Sequence, residues 1–224
     1  MSKHSKRYNT LKEKIDPIKE YNLTEAISLI KESGNLKFDG AVELHINTTI
    51  DTKQSDQQVR GIVSLPHGTG KKQKIAAVTA DADKAKKAGA ELAGGEELIK
   101  EIQAGKIDFD ILVAEPAFMP KLAPVAKILG PRGLMPSPKN GTVSPDVVKA
   151  IEELSKGKVA FKNDNTGNLH LMVGRVSFGE DQLKENIELA FNAVKTSRSS
   201  SVKGSFIRNI TLTTTMGPGI KITL

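Results

Sequence analysis

The sequence predicts an α/β protein of two domains: an α+β domain built from both chain ends and an α/β domain inserted between them. The outer segments alternate apolar with polar residues, which is typical of strands with one solvent-facing side. The middle contains short, uniformly apolar runs between helices, which is typical of strands covered on both faces. We therefore assign residues 1–66 with 159–224 to the two-ended domain and residues 67–158 to the inserted domain.

The first segment begins with a basic arm and continues into a helix. Asn22 and Glu25 form a capping pattern at its start, apolar residues follow on one helical face, and Gly34 ends it. Two strands are predicted next. Residues 42–50 alternate between a buried face with Val42, Leu44, Ile46, Thr48 and Ile50 and a polar face, and residues 59–65 form a second strand that Pro66 closes.

Short apolar runs mark the strands of the inserted domain. Residues 75–78 and 111–114 have little alternation, and a Lys/Ala-rich stretch and a helix near residues 95–104 lie between them. Proline and glycine then cluster over residues 116–141, which predicts the longest loop of the chain. The strand–helix succession predicts a layered α/β arrangement for this part.

A final helix of the inserted domain follows that loop. Ser144 is the predicted N-cap, Pro145 suits the first turn, and Gly157 ends the helix. The last segment returns to alternating strands. Residues 159–161 and 169–173 flank a polar turn and predict a β-hairpin.

The chain closes with one long helix and one long strand. The helix covers residues 180–196, and a short Ser/Arg loop follows it. The strand covers residues 206–215 and ends at the turn formed by residues 216–219. Because these elements resemble the first segment in pattern, we place them in the same domain.

Composition and charge limit the classes of function that the chain can have. The chain has 33 Lys and Arg against 26 Asp and Glu, a net charge of +7. The three segments contribute 10 cations and 9 acids, 15 and 12, and 8 and 5, so no segment is strongly basic. Charge alone is equally compatible with an ordinary Lys-rich surface and with a polyanion-binding surface. The absence of cysteine excludes disulfides, thiolate metal sites and a cysteine nucleophile.

Motifs of catalysis and of membrane insertion are missing. The loop after Pro66 resembles a phosphate loop, but Leu65 and Lys72 stand where Gly and Ser or Thr are required. Gln73 likewise breaks the dinucleotide pattern, so we expect a flexible interdomain connector there. No apolar stretch approaches the roughly 18 residues of a membrane span. We predict a cytoplasmic protein that is not an enzyme and uses no cofactor or metal.

Several motifs in order along nearly the whole chain carry a family resemblance. They are Phe38-Asp39 with Val42-Glu43, Ser55-Asp56-Gln57 with Val59-Arg60-Gly61, Leu65-Pro66-His67-Gly68, Gly94-Gly95-Glu96-Glu97, Leu129-Gly130-Pro131-Arg132-Gly133-Leu134-Met135-Pro136, Pro138-Lys139-Asn140-Gly141-Thr142-Val143, Phe161-Lys162-Asn163-Asp164, Thr166-Gly167 and Thr213-Thr214-Thr215-Met216-Gly217-Pro218. This set resembles the large-subunit ribosomal protein one family in its bacterial form.

The resemblance implies a fold and a set of partners. The implied fold is a two-ended domain with an inserted Rossmann-like domain. The implied ligand is a folded site in large-subunit ribosomal RNA at the mobile stalk, near the tRNA exit site. The resemblance also implies binding and repression of the protein's own messenger RNA and assistance in releasing deacylated exit-site tRNA. We expect a monomer when the protein is free. The alternative is a nucleotide-binding α/β enzyme that uses the middle domain.

The resemblance places the RNA surface on the two-ended domain, at Glu25, at Lys37-Phe38 and at Thr215-Met216-Gly217. Physical reasoning adds roles. Phe38 and Met216 offer flat apolar contacts, and Gly217 and Gly219 permit close backbone approach. Phosphates would be positioned by Lys37, Arg60, Lys162 and Arg208. Two alternatives stay open for these residues. Phe38 could belong to the core, and residues 216–218 could be an ordinary turn.

One further motif has two interpretations. Residues 130–133 match the GxxG loop with which one RNA-binding module clamps a nucleotide backbone. The surrounding prolines argue against that module, because it begins a helix soon after the loop. A simple turn explains the same four residues equally well.

Overall fold

The computed structural model describes residues 5–34, 36–54, 56–202 and 204–223. The helices are α1 (Lys6–Glu13), α2 (Leu23–Ser33), α3 (Ala82–Lys87), α4 (Glu96–Gln103), α5 (Met119–Leu122), α6 (Ala126–Leu129), α7 (Val147–Ser155) and α8 (Glu180–Thr196). The strands are β1 (Tyr21–Asn22), β2 (Ala41–Thr48), β3 (Arg60–Ser64), β4 (Ile75–Val78), β5 (Leu92–Gly94), β6 (Ile111–Ala114), β7 (Lys158–Lys162), β8 (Asn168–Arg175), β9 (Ile207–Thr214) and β10 (Ile220–Thr223). The predicted mixture of helices and strands in an α/β fold is confirmed.

The chain divides into two compact units. The first contains residues up to Gly70 together with those from Val159 onward, and the second runs from Lys71 to Lys158. In the first unit, a five-stranded sheet has the order β1-β10-β9-β2-β8, and β3 and β7 form a separate two-stranded sheet. Side chains of α2 and α8 join the buried face of the large sheet in one apolar core.

Strand β2 lies between two strands from the C-terminal part of the chain. It pairs antiparallel with β8 on one side and with β9 on the other. Its alternation has the predicted effect: Leu44 and Ile46 are fully buried, whereas His45 and Asn47 are partly exposed on the opposite face. The sheet therefore has one apolar face under the helices and one polar face.

The predicted hairpin between β7 and β8 is wrong. Strand β7 pairs with β3, whereas β8 pairs with β2. The polar turn that joins them has the chemistry expected of a turn: Asp164 accepts hydrogen bonds from the backbone N–H groups of Thr166 and Asn168, both at 2.8 Å. These bonds, led by the Asn168 amide, hold the pKa of the Asp164 carboxyl well below its usual range. The same turn can close a hairpin or separate two strands, so local pattern does not decide between them.

The segment around Gly68 is anchored within the first unit, in contrast to the predicted flexible connector. Asn186 of α8 is fully buried, and its Nδ2 donates to Gly68 O at 3.0 Å and to Val173 O at 2.8 Å. His67 Nε2 lies 2.8 Å from a carboxylate oxygen of Glu185. Contacts far along the chain hold this segment, and glycine content alone did not indicate them.

The second unit contains a three-stranded parallel sheet of order β5-β4-β6. Alternate residues of β4 enter different cores. Ala76 and Val78 pack with α4, whereas Ile75 and Ala77 pack with α3 and α7. The sheet is thus covered on both faces, as the uniformly apolar runs predict.

The Pro/Gly-rich passage of the second unit is helical in short pieces, not one long loop. Helices α5 and α6 alternate there with the single 3₁₀ turns Pro116–Phe118, Ala123–Val125 and Pro138–Asn140. Proline occupies the first or second position of several of these turns, where a missing N–H costs no helical hydrogen bond. Proline therefore begins these short helices.

The cap of α7 differs from the prediction in one residue. Asp146, rather than Ser144, is the N-cap, and its carboxylate accepts the Lys149 N–H at 3.2 Å. Ser144 instead accepts the Asp146 N–H at 3.2 Å. Across the described part of the chain, no helix is long and apolar enough to cross a bilayer.

Candidate nucleic-acid interface

The turn after β9 is the most distinctive feature of the predicted site. Gly217 N donates to Thr214 O at 2.9 Å and closes a four-residue turn with Met216 in its third position. Met216 has a φ of 65°, and among the described residues it is the one non-glycine with a positive φ. Its side chain is nevertheless 68% exposed. The turn therefore presents a large apolar side chain to solvent from a backbone conformation that normally favours glycine.

The neighbouring segment presents a second apolar side chain. Phe38 is 54% exposed, so it is not a core residue, and that alternative is excluded. Arg175 Nη1 donates to Asp39 O at 2.8 Å, and the Asp39 carboxylate accepts the N–H and hydroxyl of Ser177. These bonds fix the backbone directly after Phe38. Lys37 is exposed beside it and forms no ion pair with any described residue.

Residue Thr215 connects these two segments. Ala41 N donates to Thr215 Oγ1 at 2.9 Å, and Thr215 N donates to Ala41 O at 3.0 Å. Phe38 precedes Ala41 by three residues, and Met216 directly follows Thr215. The structure therefore brings the predicted Lys37-Phe38 and Thr215-Met216-Gly217 segments to the same end of the sheet.

Two glycines of the site are required by the packing of the chain itself. A Cβ at Gly217 would collide with Thr214 Oγ1, and that hydroxyl lies 3.2 Å from Ser33 Oγ in the buried interior. A Cβ at Gly219 would lie 2.9 Å from Thr211 Cγ2. Prediction assigned both glycines to close approach by a ligand. The contacts show that the protein's own side chains already occupy the space beside them.

Two of the predicted phosphate-binding cations form a separate group. Val59 N donates to Asn163 Oδ1 and Asn163 N donates to Val59 O. Arg60 and Lys162, the next residue on β3 and the preceding residue on β7, therefore lie on adjacent strands, and both are exposed. Arg60 Nη2 donates to the Gln58 amide, and neither cation is paired with a carboxylate within the described ranges.

The remaining predicted residues lie away from the Met216 turn. Glu25 is in the first turn of α2, whereas Ser33, which contacts the turn, ends that helix; eight residues correspond to about 12 Å along the axis. Arg208 lies near the start of β9, and the six residues to Thr214 correspond to about 20 Å of strand. Glu25 lies 3.7 Å from Lys19 in an exposed ion pair. No described contact joins either residue to the turn.

The polar face of the sheet carries a histidine pair. His45 and His170 occupy opposite positions on β2 and β8, and their Nδ1 atoms lie 2.7 Å apart. Partial burial, together with the proximity of His170, lowers the pKa of His45, and Glu43 opposes this effect. Within the described ranges, no three His, Asp or Glu side chains converge as a metal site would require.

Sequence reasoning missed one residue of this region. Arg7 of α1 donates to Met216 O at 2.7 Å and to Ser33 O at 3.2 Å. Its position within a basic N-terminal arm gave no local signal of a role in a turn more than two hundred residues later.

Ser55, which belongs to one of the motifs quoted above, lies outside the described residues, as do His4 and Leu224.

Comparison with known proteins identifies the family. A family model described as the ribosomal protein L1p/L10e family matches residues 28–218. The chain is 49% identical to large ribosomal subunit protein uL1 of Thermosipho melanesiensis, covering 99% of this chain and 97% of that protein. It is 50% identical to the protein of the same name from Mesoplasma florum, with 99% of each covered. The corresponding protein of Proteus mirabilis is 45% identical over 99% of this chain and 96% of its own length.

These relatives bear on two predictions. All are named as ribosomal proteins, which agrees with the prediction that the chain is not an enzyme and gives the nucleotide-binding alternative no support. The motifs that carry the resemblance lie almost entirely within the matched residues. The resemblance is therefore confirmed: the chain belongs to the ribosomal protein L1p/L10e family.

Proposed function

We propose that this protein is a structural component of the large ribosomal subunit that binds a folded site in large-subunit ribosomal RNA at the mobile stalk, near the tRNA exit site. The observation that carries this proposal is the family membership, supported by relatives that are named as large ribosomal subunit proteins and are covered over 97% and 99% of their own length. In this proposal the first unit is the RNA-binding domain. The second unit is the inserted Rossmann-like domain.

The chemistry of the Met216 turn supports this assignment. Two exposed apolar side chains, Phe38 and Met216, can contact the flat surfaces of bases and sugars. Lys37 lies beside them with no carboxylate partner among the described residues, so its charge is available to phosphate. The segments that carry them are fixed by backbone hydrogen bonds, which lowers the entropy cost of binding. We assign the primary RNA contact to this end of the sheet.

Arg60 and Lys162 extend the proposed contact. They lie on adjacent strands of the small sheet, and their charges have no described carboxylate partner. In the proposed complex they position phosphates and do not read bases. Glu25 and Arg208 lie about 12 Å and 20 Å from the turn along their elements. They would contact the RNA only if it extends along the domain.

A binding experiment with matched variants tests the proposal. The probe is a folded stalk fragment of large-subunit ribosomal RNA, and the dissociation constant is measured for the full chain. Met216→Asp should weaken binding at least tenfold, because a carboxylate at an exposed contact repels phosphate. Ile18→Asp is the control, because this substitution introduces the same charge elsewhere in the unit at a residue that is 85% exposed. Equal affinity for Met216→Asp and the unmodified chain would contradict the site.

Two finer roles are part of the same proposal. We propose that the protein also binds a similar fold in its own messenger RNA and represses translation, and that it assists release of deacylated tRNA from the exit site. The first role predicts that ribosomal RNA and messenger fragments compete for the same surface, so Met216→Asp should weaken both. Independent binding of the two RNAs would refute it. The second predicts slower tRNA release from ribosomes reconstituted without the protein.

A further inference from the structure

We propose that Arg7 is a positioning residue of the RNA-binding turn. In this proposal it contacts no RNA and holds Met216 in the conformation that RNA recognises. The inference rests on the proposed function. It begins from one contact pair: Arg7 Nη2 donates to Met216 O at 2.7 Å, and Arg7 Nη1 donates to Ser33 O at 3.2 Å. One guanidinium thus connects α1, the end of α2 and the turn after β9.

The turn needs such support because its conformation is unfavourable. An L-residue in the left-handed region loses stability relative to its preferred conformations, because its Cβ lies too close to the following carbonyl oxygen. Met216 has a φ of 65° and is mostly exposed, so packing of its own side chain does little to offset that loss. Residues in such conformations persist only where the surrounding contacts fix them.

The contacts around the turn fix it from both ends of one peptide group. The peptide between Met216 and Gly217 has its N–H bonded to Thr214 O at 2.9 Å, and its carbonyl accepts from Arg7. Rotation of this peptide would break both bonds. The Ala41 bonds to Thr215 hold the preceding residue but do not reach the Met216 carbonyl. Among the described residues, Arg7 is therefore the side chain that fixes this carbonyl.

The second acceptor of Arg7 is also specific in its chemistry. Ser33 is the last residue of α2, and its carbonyl lies at the negative end of the helix dipole, where a cation is favourable. Ser33 Oγ lies 3.2 Å from Thr214 Oγ1, so the helix end and the turn already contact each other in the interior. The planar guanidinium can bridge the two carbonyls, whereas a lysine ammonium offers a single point charge on a flexible stem.

Salt-dependent binding distinguishes positioning from phosphate contact. The full chain is titrated with the stalk RNA fragment over a range of salt concentrations. We expect Arg7→Gln to bind about tenfold more weakly, the size of one lost hydrogen bond from a charged donor. The slope of log K against log salt should stay unchanged, because no phosphate contact is lost. A slope smaller by about 0.7–0.9 would overturn the proposal and make Arg7 a phosphate ligand.

Three further variants sharpen the test. Arg7→Lys should restore only part of the affinity. Lys12→Gln is the control, because it removes the same charge from the same exposed helix without a described contact to the turn. In a Met216→Ala background, Arg7→Gln should reduce RNA affinity only slightly, because the side chain that Arg7 positions is absent. A full tenfold loss in that background would refute action through Met216.

A measurement without RNA separates this proposal from the proposed function. The ε-methyl resonance of Met216 is recorded by NMR in the free full chain, with thermal unfolding as a check of folding. Arg7→Gln should shift and broaden this resonance, whereas Lys12→Gln should not. An unchanged methyl resonance in Arg7→Gln would overturn the positioning role even if RNA binds. Failure of the unmodified chain to bind the fragment would instead overturn the proposed function.

Discussion

His45 and His170 lie directly opposite each other on adjacent antiparallel strands, with their Nδ1 atoms 2.7 Å apart. At this separation one ring donates and the other accepts, so the pair holds at most one proton between the two facing nitrogens. The outer nitrogens face carboxylates: His45 Nε2 lies 3.6 Å from Glu43, and His170 Nε2 lies 3.5 Å from Asp164. We therefore expect protonation of this pair on the polar face of the sheet to change the stability of the folded chain.

The histidine pair predicts lower stability on acidification. The pKa of His45 is lowered in the folded chain, first by partial burial and then by His170, so the unfolded chain binds more protons in this range. The stability that neutral His45 gives the folded chain is fully present above about pH 6.5, the pKa of an unperturbed histidine. It is lost as the pH falls from there toward the lowered pKa of the folded chain. Chemical denaturation at a series of pH values should show this loss. His45→Gln should flatten the curve, and equal slopes would contradict the prediction.

Asn186 predicts a large loss of stability on truncation. Its buried amide donates to Gly68 O and Val173 O, and both acceptors lose their partner in Asn186→Ala. The expected loss in the free energy of unfolding is about 1–3 kcal/mol. Urea denaturation measures it, with Asn192→Ala as the control because that residue is exposed on the same helix. A loss below that of the control would show that water replaces the amide.

Gly217 predicts that the site tolerates no side chain at this position. The added methyl of Gly217→Ala would collide with Thr214 Oγ1 and disturb its contact with Ser33. We expect a destabilisation of about 1–3 kcal/mol, typical of overpacking, and weaker RNA binding. Gly40→Ala is a matched control at the same end of the sheet, where a Cβ would make ordinary contacts of 3.6 Å and longer. Similar melting temperatures for the two variants would contradict the packing argument.

The exposed cations predict different salt dependences. Arg60→Gln and Lys162→Gln should each reduce the slope of log K against log salt by about 0.7–0.9, since each removes one phosphate contact. Arg208→Gln should leave the slope unchanged for an RNA confined to the turn, because Arg208 lies about 20 Å along β9 from it. An equal reduction for Arg208→Gln would show that the bound RNA extends along the whole strand.

Local pattern predicted most elements, but the one strand pairing that it predicted is wrong. Strands β4 and β6 and helix α8 appear at the predicted bounds, because each has a clear apolar pattern within its own residues. The partner of β7 was wrong because a polar turn is equally compatible with a hairpin and with strands that separate. Strands β1, β5 and β10 are two to four residues long and carry too few side chains to show a period.

The candidate site was likewise predictable only in part. Phe38 and Met216 could be named from sequence through the family resemblance, but their exposure could not, since an apolar residue is usually buried. The bonds of Arg7 to Ser33 and Met216 span 26 and 209 residues, and nothing in a basic N-terminal arm indicates them. Contacts of this length depend on the completed fold.

The pairing of β2 has a consequence for synthesis. Ala41 meets Thr215, 174 residues later, and His45 meets His170, 125 residues later. At about 5–20 residues per second, a ribosome needs roughly 9–35 s to complete the first of these intervals. Until β8 has been made, β2 has neither neighbour, and until β9 has been made one of its edges is still unpaired, whereas the sheet of the second unit is complete within one continuous stretch of chain. The first segment of the nascent chain therefore stays without its sheet partners while the second unit can already fold. The proposed RNA surface forms only when the last strands have left the ribosome.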